Sequence, residues 1–389
     1  MGTKHNDINR RRGTATQFRL FISPRFIESN EMKTNEAFKR WLLLSAVIAI
    51  ASAVDITDIK QLDAAKKGND RRIVLQDIHV PAGSTLNLEN LKPHTTVIVN
   101  GKITFGYKEW RGPLIKISGR NIKVEGTKGS LIDGDGARWW DGRGGNGGKV
   151  KPKLITLRLT DSEVSNLNFK NSPAHGVAVF KCRNVKIHHI TFDDKDGHTK
   201  GGHNTDAFDV GNSDRVTISD CYVDNQDDCL AVNSGTRIVF EKNTCIGGHG
   251  ISIGSIGGRS NNVVDDVLVK DCKVINNDNG IRIKTKSDAT GLVKNVKFIN
   301  VELENIKNIG ISILGNYANG GPSGQLTPGI PIQDLVIDNV HGTVNPQGVN
   351  IKVWVVDAAR WTWKSNVTGG KKTDWCQGIP SGVNIACGV

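Results

Sequence analysis

Four short segments hold the residues best equipped for chemistry: Asn204-Thr205-Asp206, Gln226-Asp227-Asp228, Gly248-His249-Gly250 and Arg282-Ile283-Lys284. Aspartates that meet in one place raise one another's proton affinity, so one can hold a proton while another is ionised. A carboxylic acid that protonates a leaving oxygen, beside a carboxylate that directs a water, is the equipment of glycosidic bond hydrolysis. Arginine and lysine two residues apart on a strand would offer a bidentate fork and a point charge to the carboxylates of an acidic sugar. Taken singly, each residue has a plainer explanation, since an Asp often caps a turn and an Arg-x-Lys is usually a solvated face. The chemistry therefore depends on a fold that brings separated segments onto one surface. It calls for no metal and no cofactor.

The elements that could do this repeat. From about residue 160 a strand-like phrase recurs with apolar residues at its third, sixth and eighth positions. It reads Val164/Leu167/Phe169, Ile187/Ile190/Phe192, Ile218/Cys221/Val223, Phe240/Asn243/Cys245, Val269/Cys272/Val274, Phe298/Val301/Leu303 and Ile337/Val340/Gly342. Each phrase ends in a polar turn, and a second short strand follows at residues 176–179, 207–210, 229–232, 250–253, 280–284 and 310–313. Strand–turn–strand units of this length without helical patterns between them indicate a solenoid. The fold class predicted is all-β, a right-handed parallel β-helix over about residues 80–355, with Ile59–Lys67 as a short capping helix. A β-propeller is the alternative, but its blades need four strands at steadier spacing. Aligned on the second strands, the preceding residues form a column: His175, Asp206, Asp228, His249, Asn279 and Ile309. Parallel strands stack about 4.8 Å apart, so this column sets acids on the lower coils and His249 in the middle. Arg282 and Lys284 lie on the coil above.

Composition agrees. Of 389 residues 37% are hydrophobic and 6% aromatic, and 44 Gly stand against 2 Met, which favours strands and turns over a helical bundle. The net charge is +12, and residues 1–53 hold nine basic and four acidic residues, leaving +7 for the remainder. A basic body suits an acidic partner: nucleic acid, anionic lipid or an acidic polysaccharide. A nucleic-acid partner is disfavoured, because the basic residues are scattered and few aromatics interleave with them. The apolar run Trp41–Ala53 follows Lys39-Arg40 and ends in Ala51-Ser52-Ala53, which reads as a secretory signal cleaved after Ala53. The chain then divides into an extension and signal at 1–53 and a single catalytic domain at 54–389, secreted, extracellular, monomeric and without lasting membrane association. A signal anchor is the alternative for residues 41–53. The seven cysteines include no C-x-x-C pair, so a structural zinc site is not expected.

The four segments, in this order and spacing, resemble the signature motifs of the polygalacturonases, glycoside hydrolase family 28. The stretches 132–142, 202–210 and 250–260 extend the resemblance, which spans roughly residues 55–389 and is closest to the fungal endo-acting type. It implies a secreted, inverting hydrolase of α-1,4-galacturonan. By motif, Asp227 resembles the general acid, Asp206 and Asp228 the pair that activates water, and His249 the residue supporting the acid's protonation. Arg282 and Lys284 resemble the binders of the substrate carboxylate, Tyr317 a sugar contact near the cleavage point, and Asn204 a binding and positioning residue. Cys229–Cys245 and Cys376–Cys387 match two family bridges, while the family's N-terminal cysteine pair and the pair before Trp361-Thr362-Trp363 are absent. Cys221 and Cys272 fall at inward strand positions and, with Cys182, are expected to be reduced. Asn366-Val367-Thr368 is the one N-glycosylation acceptor in the chain. Alternatives are an exo-acting or rhamnogalacturonan hydrolase of the same family, a pectate lyase on the same architecture, and a pectin-binding homologue without catalysis.

Overall fold

The computed structural model describes residues 53–318, 321–322, 324–373, 376–385 and 387. The basic extension and the signal segment up to Ser52 lie outside the described residues. Ala51–Val389 forms one compact unit. Among the described residues no helix is long and apolar enough to cross a membrane.

The unit is a right-handed parallel β-helix whose strands join in one continuous 31-stranded sheet. Each coil contributes a strand to each of three faces. The face that matters for function stacks Leu86–Leu91, Ile115–Arg120, the start of Ile155–Ser165, Val177–Phe180, Phe208–Gly211, Asp228–Val232, Gly250–Ile256, Asn279–Thr285, Ile309–Leu314 and Val349–Trp354, all parallel. A propeller is ruled out by this unbroken parallel ladder. The ladder also runs further than the repeats suggest: among the described residues the first strand is Ala53–Ile56 and the last is Cys376–Gln377. The end coils diverge too far in sequence to be seen as copies, yet their backbones still pair.

Alternation explains the interior. On the functional face Leu230, Ile251, Ile281, Ile311 and Ile351 sit in register, as do Val232, Ile253, Ile283, Ile313 and Val353. All are buried. Each such side chain contributes about 1.5–3 kcal/mol on removal from water. A slip of one residue would turn these stacks outward and the charged residues inward, so the apolar pattern fixes the register. Phenylalanines extend the core: Phe169, Phe192, Phe208 and Phe240 follow one another at ring separations of 4.9, 5.4 and 6.4 Å. The open end is closed by the turn Ile59–Gln61 and the helix Leu62–Lys67, capped by Asp58 and Gln61, with Leu62 and Ala65 turned into the core.

The first four copies of the repeating phrase are split into two strands, while the last three each lie within one continuous strand, Val263–Ile275, Leu292–Ile306 and Val336–Val344. A residue with left-handed backbone bends the phrase each time, at Asn166, His189, Asp220, Lys242, Asp271, Asn300 and Asn339, with φ between 52° and 57°. Asn and Asp visit this region at little cost, and their side chains bond across coils: Asn339 Nδ2 donates to Asn300 Oδ1 at 3.0 Å and Asn300 Nδ2 to Asp271 Oδ1 at 2.9 Å. The buried position after each bend holds Leu167, Ile190, Cys221, Asn243, Cys272, Val301 or Val340. Asn243 is satisfied there, donating to the Ile218 carbonyl at 3.0 Å and accepting from the Cys221 N–H at 2.9 Å.

Candidate active site

Asp206, Asp227, Asp228, His249, Asn204, Arg282, Lys284 and Tyr317 all line one cleft of about 760 Å³ on the functional face. That is the size of a site for a small ligand. Buried amides lock its floor. Gln226 N–H donates to Thr205 Oγ1 at 2.8 Å, and Asn225 Nδ2 donates to the carbonyls of Thr205 and Asp228 at 2.7 and 3.1 Å. These bonds tie the coil of Asp206 to that of Asp227 and Asp228.

The column predicted from alignment is displaced at its centre. Asp228 pairs with Gly250, and the register shifts before Leu230 meets Ile251. His249 therefore leans against Asp227, its Nδ1 3.0 Å from Oδ1, while its backbone N–H donates to the Asp227 carbonyl at 2.7 Å. The flanking glycines make this approach possible. A Cβ on Gly248 would strike the Asp227 carbonyl, and one on Gly250, at φ +87°, would strike the carbonyls of Asn279 and Gly280. Asp227 also accepts from the Asp228 N–H at 2.8 Å and from Asn204 Nδ2 at 3.0 Å.

Arg282 and Lys284 reach two coils down to Asp228. Lys284 Nζ is 2.7 Å from Oδ2, Arg282 Nη2 pairs with Oδ1, and Arg282 Nε donates to Ser252 Oγ at 3.0 Å. Small residues on the intervening coil open the path, Ser252 opposite Arg282 and Gly254 opposite Lys284. The sequence reading gave both cations to a substrate carboxylate; in the structure each also neutralises a buried acid. Tyr317 lies on a short antiparallel hairpin with Pro322, its ring centroid 5.1 Å from Lys284 Nζ.

Proton affinities divide the acids. Burial and the neighbouring charge of Asp227 push Asp206 well above the usual carboxylate range, with His175 opposing. Burial would raise Asp227 as well, but the His249 hydrogen bond and the charges of His249, Lys284 and Arg282 hold it below that range. Burial disfavours the charged form of His249, and Asp227 more than compensates, so its proton affinity rises. Both directions favour an ionised Asp227 beside a protonated His249.

Three further groups were not picked out from the sequence. Asp209 shares the outward column of Arg282, Ser252 and Ala231, a signal that the alignment contained. Its Oδ2 is 2.8 Å from His175 Nδ1. Asp278 lies 3.4 Å from His249 Nε2. The glycine-rich loop 141–151 forms a rim, and its Gly145 N–H donates to Asn204 Oδ1 at 2.9 Å, which aims the Asn204 amide nitrogen at Asp227. A loop without periodicity gives no such cue in sequence. Among the described residues, two sets bring potential metal-ligand atoms within 4.8 Å of one another, His175/Asp206/Asp209 and Asp227/Asp228/His249. Histidine–carboxylate ion pairs account for the closeness of both, and no metal is assigned.

Cys229 is joined to Cys245 and Cys376 to Cys387, while Cys182, Cys221 and Cys272 are buried and free. Asn366 is exposed on the strand Thr362–Thr368.

Comparison with known proteins now bears on these features. The family model for glycosyl hydrolases family 28 matches residues 71–387. A polygalacturonase of Penicillium digitatum is 47% identical over 355 residues, covering 87% of this chain and 96% of its own. A polygalacturonase of Saccharomyces cerevisiae is 47% identical over 358 residues, covering 89% and 98%. Among solved structures, endopolygalacturonase I from Stereum purpureum, complexed with two galacturonates, superposes with a TM-score of 0.75 at 34% identity, covering 82% of this chain and 95% of its own. With a match over most of its length and the cleft carried on a parallel β-helix, the chain belongs to family 28 of the glycosyl hydrolases.

Proposed function

We propose that the protein is an endo-acting hydrolase of α-1,4-linked polygalacturonate, working by general acid and base catalysis with inversion. The observation that carries this is the convergence of Asp206, Asp227, Asp228 and His249 with Arg282, Lys284 and Tyr317 in one cleft, in a chain 47% identical to named polygalacturonases.

In this reading Asp227 takes a proton from His249 across the 3.0 Å contact and delivers it to the leaving glycosidic oxygen as the C1–O bond breaks. Water attacks C1 from the opposite side and gives its proton to Asp206. A base works better when its proton affinity lies above that of an ordinary carboxylate, and the environment of Asp206 raises it. Asp228, engaged by two cations, orients the water and holds Arg282 and Lys284 in place. Those cations and Tyr317 bind the carboxylate and ring of the sugar. Methyl-esterified pectin should then be a poor substrate.

The same reading takes residues 1–53 as extension and signal, residues 54–389 as the secreted domain acting alone, and Asn366 as a glycan acceptor in a eukaryotic secretory route. Proton NMR of the first product tests the mechanism. Inversion yields a β-anomer from this α-linked polymer, and an initial α-anomer contradicts it. An unsaturated, ultraviolet-absorbing product would point to a lyase.

A further inference from the structure

One face of Asp206 is occupied by a group for which the mechanism above has no use. His175 sits on the coil below, its Nδ1 3.3 Å from Asp206 Oδ1 and 2.8 Å from Asp209 Oδ2. His175, Asp206 and Asp209 all line the cleft. Asp206 Oδ1 and His175 Nδ1 are both buried and meet as an ion pair at 3.3 Å without the geometry of a hydrogen bond. Asp209 in turn has Lys153 Nζ 3.8 Å away. Lys153, Asp209, His175 and Asp206 thus form a chain of alternating charge running up the cleft wall to the base.

We propose that His175, anchored by Asp209, is a positioning residue for Asp206: its cation stabilises the ionised carboxylate and so sets the lowest pH at which the base is available. The proposal rests on the reading of Asp206 as the base. The charged groups that face His175 are Asp206 and Asp209 from the coil above and Lys153 from the coil below. Those that face Asp206 are Asp227, Asp209 and Asp228, which disfavour its ionisation, and His175, which opposes them. Burial alone would discharge His175, but the two aspartates outweigh it and push its proton affinity up to about 9. The two carboxylates, at 3.3 and 2.8 Å, thus favour the imidazolium across the acid range in which Asp206 must ionise.

The sign of the effect follows. Without the cation Asp206 binds its proton more tightly, and the ionised base forms only at higher pH. The test is the pH profile of kcat/KM on polygalacturonate for His175→Gln, His175→Lys and Asp206→Asn. The acid limb of His175→Gln should move up by about one pH unit, a tenfold loss on that limb that closes as pH rises. His175→Lys, which restores the charge, should return the limb to the wild-type position. A superimposable profile for His175→Gln overturns the proposal. So does a uniform fall at every pH, which would make His175 a plain substrate contact. Asp206→Asn separates the two layers: if it retains a tenth or more of wild-type rate, the reading of Asp206 as base has failed. If it is inactive while His175→Gln is unshifted, only the role of His175 has failed.

Discussion

At the residue scale, the cleft spends its cations twice. Asp228 is buried and meets both Arg282 and Lys284, themselves buried, so each charge is compensated before any ligand arrives. Breaking such a group costs more than making it gains: removing one partner from a buried pair costs about 3–5 kcal/mol. Lys284→Ala should therefore lower Tm as well as raise KM, a double effect that a simple surface contact would not give. Arg282→Lys should keep the charge yet lose kcat/KM, because an ammonium cannot span Ser252 and Asp228 as the guanidinium does. Asp227→Asn keeps the shape and removes the transferable proton. Its kcat should fall by about 10²–10⁴ with substrate binding little changed, and retention of a tenth of the rate would refute Asp227 as the acid. The types and spacing of these residues were legible in the sequence because the strand period of two places Arg282 and Lys284 on one side. The direction of the Asp227–His249 contact was not legible, since it follows from a register shift at Asp228 that no local pattern announces.

At the scale of elements, the rim loop and the disulfide at the catalytic turn hold the acids in place. Asp141 staples the loop, accepting from the Arg143 and Lys149 N–H groups at 3.0 and 2.8 Å and pairing with Lys151 at 2.8 Å. Burial would raise its proton affinity, but these partners bring it down to about 2. A depressed carboxylate stabilises the fold above its unfolded value and loses that contribution as pH falls through the folded one. The Tm gap between wild type and Asp141→Asn should thus be full at pH 6 and shrink as pH falls from 4 towards 2; a gap independent of pH would contradict this. Cys229–Cys245 closes a 16-residue separation that contains Gly235–Glu241 and joins the end of the acid segment to the strand before His249. Thiol counting in denaturant should find three free sulfhydryls, and a count of one would mean a third bridge. The interior positions of Cys221 and Cys272 were readable from the repeat. The bend inside each repeat was not, because Lys242 and His189 take the left-handed position alongside Asn and Asp and hide the pattern.

At the scale of the molecule, the charge of +7 on residues 54–389 and a cleft containing Arg282 and Lys284 suit a polyanion that enters along a groove. Turnover on polygalacturonate should weaken with added salt, since the long-range attraction between this basic body and a polyanion is screened beyond about 8–10 Å at moderate ionic strength. The solenoid could be read from its internal repeats, while its end coils, starting at Ala53, carried no repeat to read. The most direct test of the central claim is product sizing during the first few per cent of polygalacturonic acid cleavage. A ladder of oligomers with a rapid fall in viscosity is the outcome predicted for internal cleavage. Release of galacturonate monomer alone, or binding without any cleavage, would contradict it.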